Sequence, residues 1–111
     1  MATTNQYHGW VDVNKSFYTT FNGRRFYCNI PELYLGCQQA KMRVRYGDGD
    51  EENYNLTSSD GVLFSGTMGT DDDSRVSFEL WKHGNVIVLE GGWKCGGRQG
   101  EWYIEGTYKK Q

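Results

Sequence analysis

The chain has 111 residues, among them 15 glycines, one proline and three cysteines, with 15% aromatic side chains and a formal charge of −2. That length makes one domain with a core of its own, and the balance of glycine and aromatics favours short strands and tight turns over helices. The weakly acidic total argues against indiscriminate binding to nucleic acid, and no run is long and apolar enough for a membrane span.

Charge is unevenly distributed along the chain. Residues 1–46 carry six Lys/Arg against Asp12 and Glu32, a net +4, whereas residues 47–111 carry six against twelve acids, a net −6. The two halves are expected to neutralise each other inside one fold, although head-to-tail self-association would use the same asymmetry. Cys28, Cys37 and Cys95 are odd in number and show no Cys-x-x-Cys spacing, so free thiols in a reducing, cytoplasmic setting are expected rather than a disulfide framework or a zinc site. Residues 1–6 lack the basic and apolar regions of a signal peptide and are expected to be disordered. The sequons at Asn14 and Asn55 are accordingly expected to be unmodified.

Taken in order, residues 7–13 alternate Tyr7, Gly9, Val11 and Val13 against His8, Trp10 and Asp12, with Trp10 competing with the valines for the buried face. Residues 17–21 and 24–30 flank Asn22-Gly23, a strong hairpin signal because both residues accept positive φ. Pairing Phe21 with Arg24 sets Phe17, Thr19, Phe26 and Cys28 on one face and Tyr18, Thr20, Arg25 and Tyr27 on the other. Pro31 stops that strand, and residues 31–40 read as one short helix or an irregular crossing whose Leu33, Tyr34, Leu35 and Cys37 plug a barrel end. Residues 41–46 then place Met42, Val44 and Tyr46 inside, with Arg43 and Arg45 outside. An acidic loop over 47–52, a strand at 53–57, a turn at 58–61 and a strand over 62–68 follow, the last with Val62, Phe64, Gly66 and Met68 on one face.

The clearest pattern lies in residues 75–109, which form three consecutive antiparallel strands. Val76, Phe78 and Leu80 alternate with Ser77, Glu79 and Trp81, and a turn at His83-Gly84 pairs Lys82 with Asn85. Leu80 then faces Ile87, Phe78 faces Leu89 and Val76 faces Gly91 on the inner side, with Trp81–Val86, Glu79–Val88 and Ser77–Glu90 outside. The glycine-rich stretch 94–100 does not determine the next register. The most economical choice sets Trp93 beside Trp102, Gly91 beside Ile104 and Leu89 beside Gly106, so that large side chains cover glycines where the sheet bends.

Residues 1–111 thus read as a single all-β domain, an antiparallel up-and-down meander closed or nearly closed into a small barrel, since closure removes both edges. In strand pattern it is similar in architecture to the small calycin-type barrels, the avidin and lipocalin groups among them. A bent open sheet or a β-sandwich that dimerises is the alternative.

Four constellations bear on function. Phe64, Phe78, Trp93, Trp102 and Tyr108 line the interior in this reading and mark a site for a small apolar or aromatic ligand. Trp81, Val86, Val88 and Tyr103 form an outward apolar strip suited to a protein partner or a homodimer. Arg25, Tyr27, Arg43 and Arg45, with Arg24 and Tyr18, interleave cations and rings on an outer face, a mixture that suits an anionic ligand or single-stranded nucleic acid. Glu90 opposite Glu105 offers a shared proton and hence a hydrolase or isomerase alternative. Asp48, Asp50 and Glu52 alternate in a loop that lacks the Gly and distal Glu of a calcium loop, and a meander brings Asp71, Asp72 and Asp73 near it; solvated acidic turns are expected over oxygen-ligand metal binding, so neither metal nor cofactor is expected. The leading expectation is a non-enzymatic binding protein.

Overall fold

The structure, a computed structural model, describes residues 9–110 except 21, 37, 48, 69 and 70; the side chains of residues 68, 71–73 and 110 also lie outside the description. Its strands are β1 (Gly9–Thr20), β2 (Arg25–Tyr27), β3 (Asn29–Leu35), β4 (Gln39–Arg45), β5 (Glu51–Thr57), β6 (Leu63–Met68), β7 (Asp71–His83), β8 (Val86–Cys95) and β9 (Arg98–Lys110). From β3 to β9 each strand pairs antiparallel with the next, and β1 pairs with both β9 and β3, which closes the sheet. β2 is not a separate stave. It continues the line of β3 along β1, with Tyr27 opposite Phe17, Tyr34 opposite Trp10, and the Cys28 N–H donating to the Ser16 carbonyl at 3.1 Å between them. The result is an eight-stranded antiparallel barrel with β2 as a short extra segment, and no helix occurs among the described residues.

The expected plug at 31–40 is therefore corrected. Leu33 and Leu35 are fully buried, but as inward positions of a strand. Pro31 is accommodated because the β3–β4 ladder is irregular between Asn29 and Glu32, where a missing N–H donor breaks no regular pairing.

Three registers also differ from the sequence reading. Between β1 and β2, Thr20 donates its N–H to the Arg24 carbonyl at 3.0 Å, the Gly23 N–H donates to the Thr20 carbonyl at 2.9 Å, and Gly23 takes φ +82°; Phe21 lies outside the described residues. Relative to a Phe21–Arg24 pair this is a slip of one, which exchanges faces. Tyr18 and Phe26 turn inward, while Phe17, Arg25 and Tyr27 turn outward. In the β7–β8 hairpin the loop is Gly84-Asn85, so Leu80 meets Leu89, Phe78 meets Gly91 and Val76 meets Trp93. Gly84 supplies positive φ at the first loop position, as a type II′ turn uses. Gly96 and Gly97 both have positive φ, the type I′ pattern, and close β8 onto β9 as a two-residue hairpin. Trp93 then lies beside Gly100, Gly91 beside Trp102 and Ile87 beside Gly106. The last two hairpins are displaced by two residues, which leaves every side chain on its expected face.

Glycine is required where strands cross closely. A Cβ at Gly91 would strike the Ser77 carbonyl, and one at Gly100 would strike the Thr19 carbonyl and the Trp93 indole.

One further irregularity shapes the interior. Val13 faces Gly106 but Lys15 faces Glu105, so Asn14 is an extra residue in β1. Before this bulge the odd positions face in, with Val11 buried; after it the even positions do, beginning with buried Ser16. This settles the Trp10 question, since Trp10 is exposed and packs edge-on against Tyr34 outside.

Candidate functional site: an aromatic cup at one barrel end

The two barrel ends are built differently. At the end bearing the β3–β4, β5–β6 and β7–β8 turns, Val11, Leu33, Leu35, Ala40, Leu56, Ile87 and Leu89 are buried and fill the lumen. Phe64 and Phe78, cross-strand partners, lie below them and are also fully buried. Toward the other end the lining changes to Tyr18, Phe26, Tyr46, Tyr54, Val76, Trp93 and Trp102, and the lumen opens into a cavity of about 620 Å³.

Trp102 anchors the floor, held on three sides by rings. Its indole lies 5.5 Å from the Tyr54 ring, 5.8 Å from Phe78 and 5.9 Å from Tyr18. Its Nε1–H donates to Ser16 Oγ at 3.1 Å, and Ser16 Oγ lies 3.1 Å from Cys28 Sγ, so the buried polar atoms satisfy one another. Burial raises the Cys28 thiol above its usual pKa, against the opposing effect of its bonds to Ser16 and Trp102. Trp93 forms a wall, 6.0 Å from Tyr18 and perpendicular to it, with its Nε1–H donating to the Thr19 carbonyl at 3.1 Å. Both indoles are thus fixed by packing and by a hydrogen bond.

On the β4–β5 side the hydroxyls of Tyr46 and Tyr54 lie 2.6 Å apart. Burial drives the Tyr46 phenol well above its usual value and pushes that of Tyr54 up to about 12, so both are neutral near pH 7. One proton bridges the pair. Ser74 Oγ donates to Cys95 Sγ at 3.1 Å on the facing wall. Arg24, Arg75, Lys94 and Arg98 line the cavity opposite or beside Asp50 and Glu52.

The residues singled out for the interior are divided by this arrangement. Trp93 and Trp102 line the cup. Phe64 and Phe78 are interior but belong to the closed part, and Tyr108 sits half-buried toward the far end opposite Val11, its N–H bonded to the Asn85 carbonyl at 2.8 Å. Tyr18 and Arg24, assigned to an outer anion-binding face, belong to the cup instead, for the one-residue reason given above. On that outer face Arg45 is paired with Glu51 at 2.7 Å and Arg43 with Glu32 at 3.5 Å, and the Arg25 guanidinium covers the Phe17 ring at 4.2 Å beside Tyr27.

The outer strip is open. Trp81 faces Val88, and Trp81 and Leu63 remain 54% and 59% exposed. The segment at Pro31 does not cover it, being a barrel stave. Tyr103 belongs to a second cluster, stacked on Phe17 at 5.3 Å and donating its hydroxyl to Glu105 at 2.7 Å, a bond that raises its pKa. The proposed Glu90–Glu105 dyad does not form: Glu105 lies opposite Val88, and Glu90 lies opposite Tyr103 and Glu79. No group of three or more metal-ligating side chains gathers among the described residues; Asp48 and the side chains of residues 71–73 lie outside them. Cys28 and Cys95 are free thiols.

The chain matches no protein-family model and no curated protein sequence.

Sequence periodicity hid Tyr18, Thr20 and Phe26, because the Asn14 bulge and the turn between β1 and β2 both change parity without a compositional mark. Tyr54 was findable, since it alternates with buried Leu56.

Proposed function

We propose that the protein is a non-enzymatic binding protein that takes a small aromatic or apolar molecule into the cup. The observation that supports this most is the 620 Å³ void between Tyr18, Trp93 and Trp102. It falls within the roughly 300–1,000 Å³ of small-molecule pockets, and it combines aromatic walls with polar groups, the Tyr46–Tyr54 hydroxyl pair and the charged side chains of Arg24, Asp50, Glu52 and Arg98. A calycin-like use of the barrel follows, with recognition in the lumen and stability supplied by the filled end. Free thiols at Cys28 and Cys95 fit a reducing, cytoplasmic setting.

The test uses 6-propionyl-2-dimethylaminonaphthalene, a neutral naphthalene whose emission moves to the blue in apolar surroundings. Saturable one-to-one binding is expected, weakened at least about tenfold, or about 1.4 kcal/mol, in Thr20→Trp, which fills the mouth. Equal binding to the two proteins, or no saturable binding, counts against the cup. A urea midpoint close to wild type shows that the variant is folded.

Exposed Trp81 and Leu63 support a second reading, self-association through that face. Light scattering should then report a dimer for wild type and a monomer for Trp81→Lys; two monomers remove this reading.

A further inference from the structure

Resting on the cup reading, we propose that the ligand is an aromatic anion, its ring held on the Tyr18–Trp93 wall and its acid group at Arg24 and Arg98. The placement follows from the ladder. Thr20 ends β1 and is the partner of Gly100 on one side and, through its N–H, of Arg24 on the other. Arg98 stands two residues beyond Gly100, on the same inward side and opposite Cys95. The two arginines therefore flank the tip of one strand, directly above the ring wall that this strand carries.

The wall also positions a cation. The Arg24 guanidinium lies 5.6 Å from the centre of the Phe26 ring, and Phe26 stacks on Tyr18 at 5.5 Å with an interplanar angle of 23°. Guanidinium, Phe26 and Tyr18 form a continuous series that ends at Trp93 and Trp102. A flat ligand that extends this series brings an acid group at its outer end to the planar donors of arginine, which bind carboxylates and sulfonates through two parallel N–H bonds. The ion pairs formed among the described residues engage neither arginine.

The counterargument is the presence of Asp50 and Glu52 in the same lining. They belong to the β4–β5 wall, on the side of Tyr46 and Tyr54, whereas Arg24 and Arg98 belong to the wall that bears Tyr18 and Trp93. Tyr46 and Tyr54 themselves touch Tyr18 and Trp102, at 6.0 and 5.5 Å, so the two sides share one ring cluster, and what favours an anion is the Arg24 guanidinium seated on the Phe26–Tyr18 stack. The protein's overall charge of −2 makes this concentration of cations more telling, since it runs against the average field.

Calorimetric titration with three compounds of one ring decides the matter: 2-naphthylacetate, the neutral 2-naphthylacetamide and the cationic 2-(2-naphthyl)ethylamine. The acetate should bind about tenfold or more tighter than the amide, with the amine weakest, and the margin should shrink as salt is raised. Arg24→Gln with Arg98→Gln should reduce the margin to about threefold or less, the acetate losing more affinity than the amide, with cooperative urea unfolding showing that the variant is folded. Equal binding of acetate and amide, or tightest binding of the amine, overturns the anion assignment and leaves the cup standing. A margin that survives the double substitution removes the two arginines and the proposal with them. Failure of all three compounds to bind overturns the cup reading itself.

Discussion

One end of this barrel is closed by branched aliphatic chains and the other is left open between aromatic rings. At the closed end Leu33, Leu35, Leu56, Ile87 and Leu89 interdigitate with almost no exposure, the arrangement of an ordinary hydrophobic core. At the open end the rings of Tyr18, Tyr54, Trp93 and Trp102 support one another at centroid separations of 5.5–6.0 Å and surround a void instead of filling it. Rigid rings fixed by hydrogen bonds hold a cavity open where flexible chains would collapse into it. The same eight staves thus build a packed core at one end and an open aromatic cup, the site proposed for a ligand, at the other.

The largest effect that would sharpen this contrast lies at the closed part. Phe78→Ala should cost about 3–5 kcal/mol in urea unfolding, whereas Phe26→Ser, at the rim, should cost less than about 1 kcal/mol. Similar losses at both sites would break the division. Next comes the bend that shapes both ends: Gly91→Ala should destabilise by about 1–3 kcal/mol, because its Cβ meets the Ser77 carbonyl, a backbone atom that does not yield like a side chain.

A smaller change separates the two ends by pH. Tyr54 has its folded-state pKa raised from 10 to about 12, so the folded protein holds this proton more tightly than the unfolded chain. Its contribution is fully present below pH 10 and is lost as pH rises from there toward 12. Unfolding midpoints should accordingly fall in that window for wild type and fall less steeply in Tyr54→Phe, which at neutral pH should cost about 1 kcal/mol for the lost hydroxyl bond. An unchanged alkaline slope in the variant would remove the buried hydroxyl pair from the account. The smallest effect belongs to the outer wall, where Arg45→Ala should cost under about 1 kcal/mol, and less at high salt, because its partner Glu51 is solvent-facing.

The comparison also explains what was legible in the sequence. The closed end follows from alternation: Phe78 with Leu80, and Ile87 with Leu89, keep their inward faces even though two hairpin registers are displaced, because a displacement of two preserves the face. The open end depends on events that alternation does not report. The bulge at Asn14 and the turn after Thr20 each change parity once, and together they bring Tyr18, Phe26 and Arg24 inside. The Gly96-Gly97 pair did carry the β8–β9 register, since two consecutive glycines allow the type I′ turn; the length of the surrounding glycine-rich stretch concealed it. Pro31 was read as a stop although a ladder irregularity accommodates it.

The most direct test uses the four tryptophans as reporters, two in the cup and two outside it. With 2-naphthylacetate added to ¹⁵N-labelled protein, the indole N–H resonances of Trp93 and Trp102 should move together and saturate, while those of exposed Trp10 and Trp81 stay in place. Movement of Trp81 with Trp93 and Trp102 unmoved would contradict the account, because recognition would then belong to the outer sheet and not to the open end of the barrel.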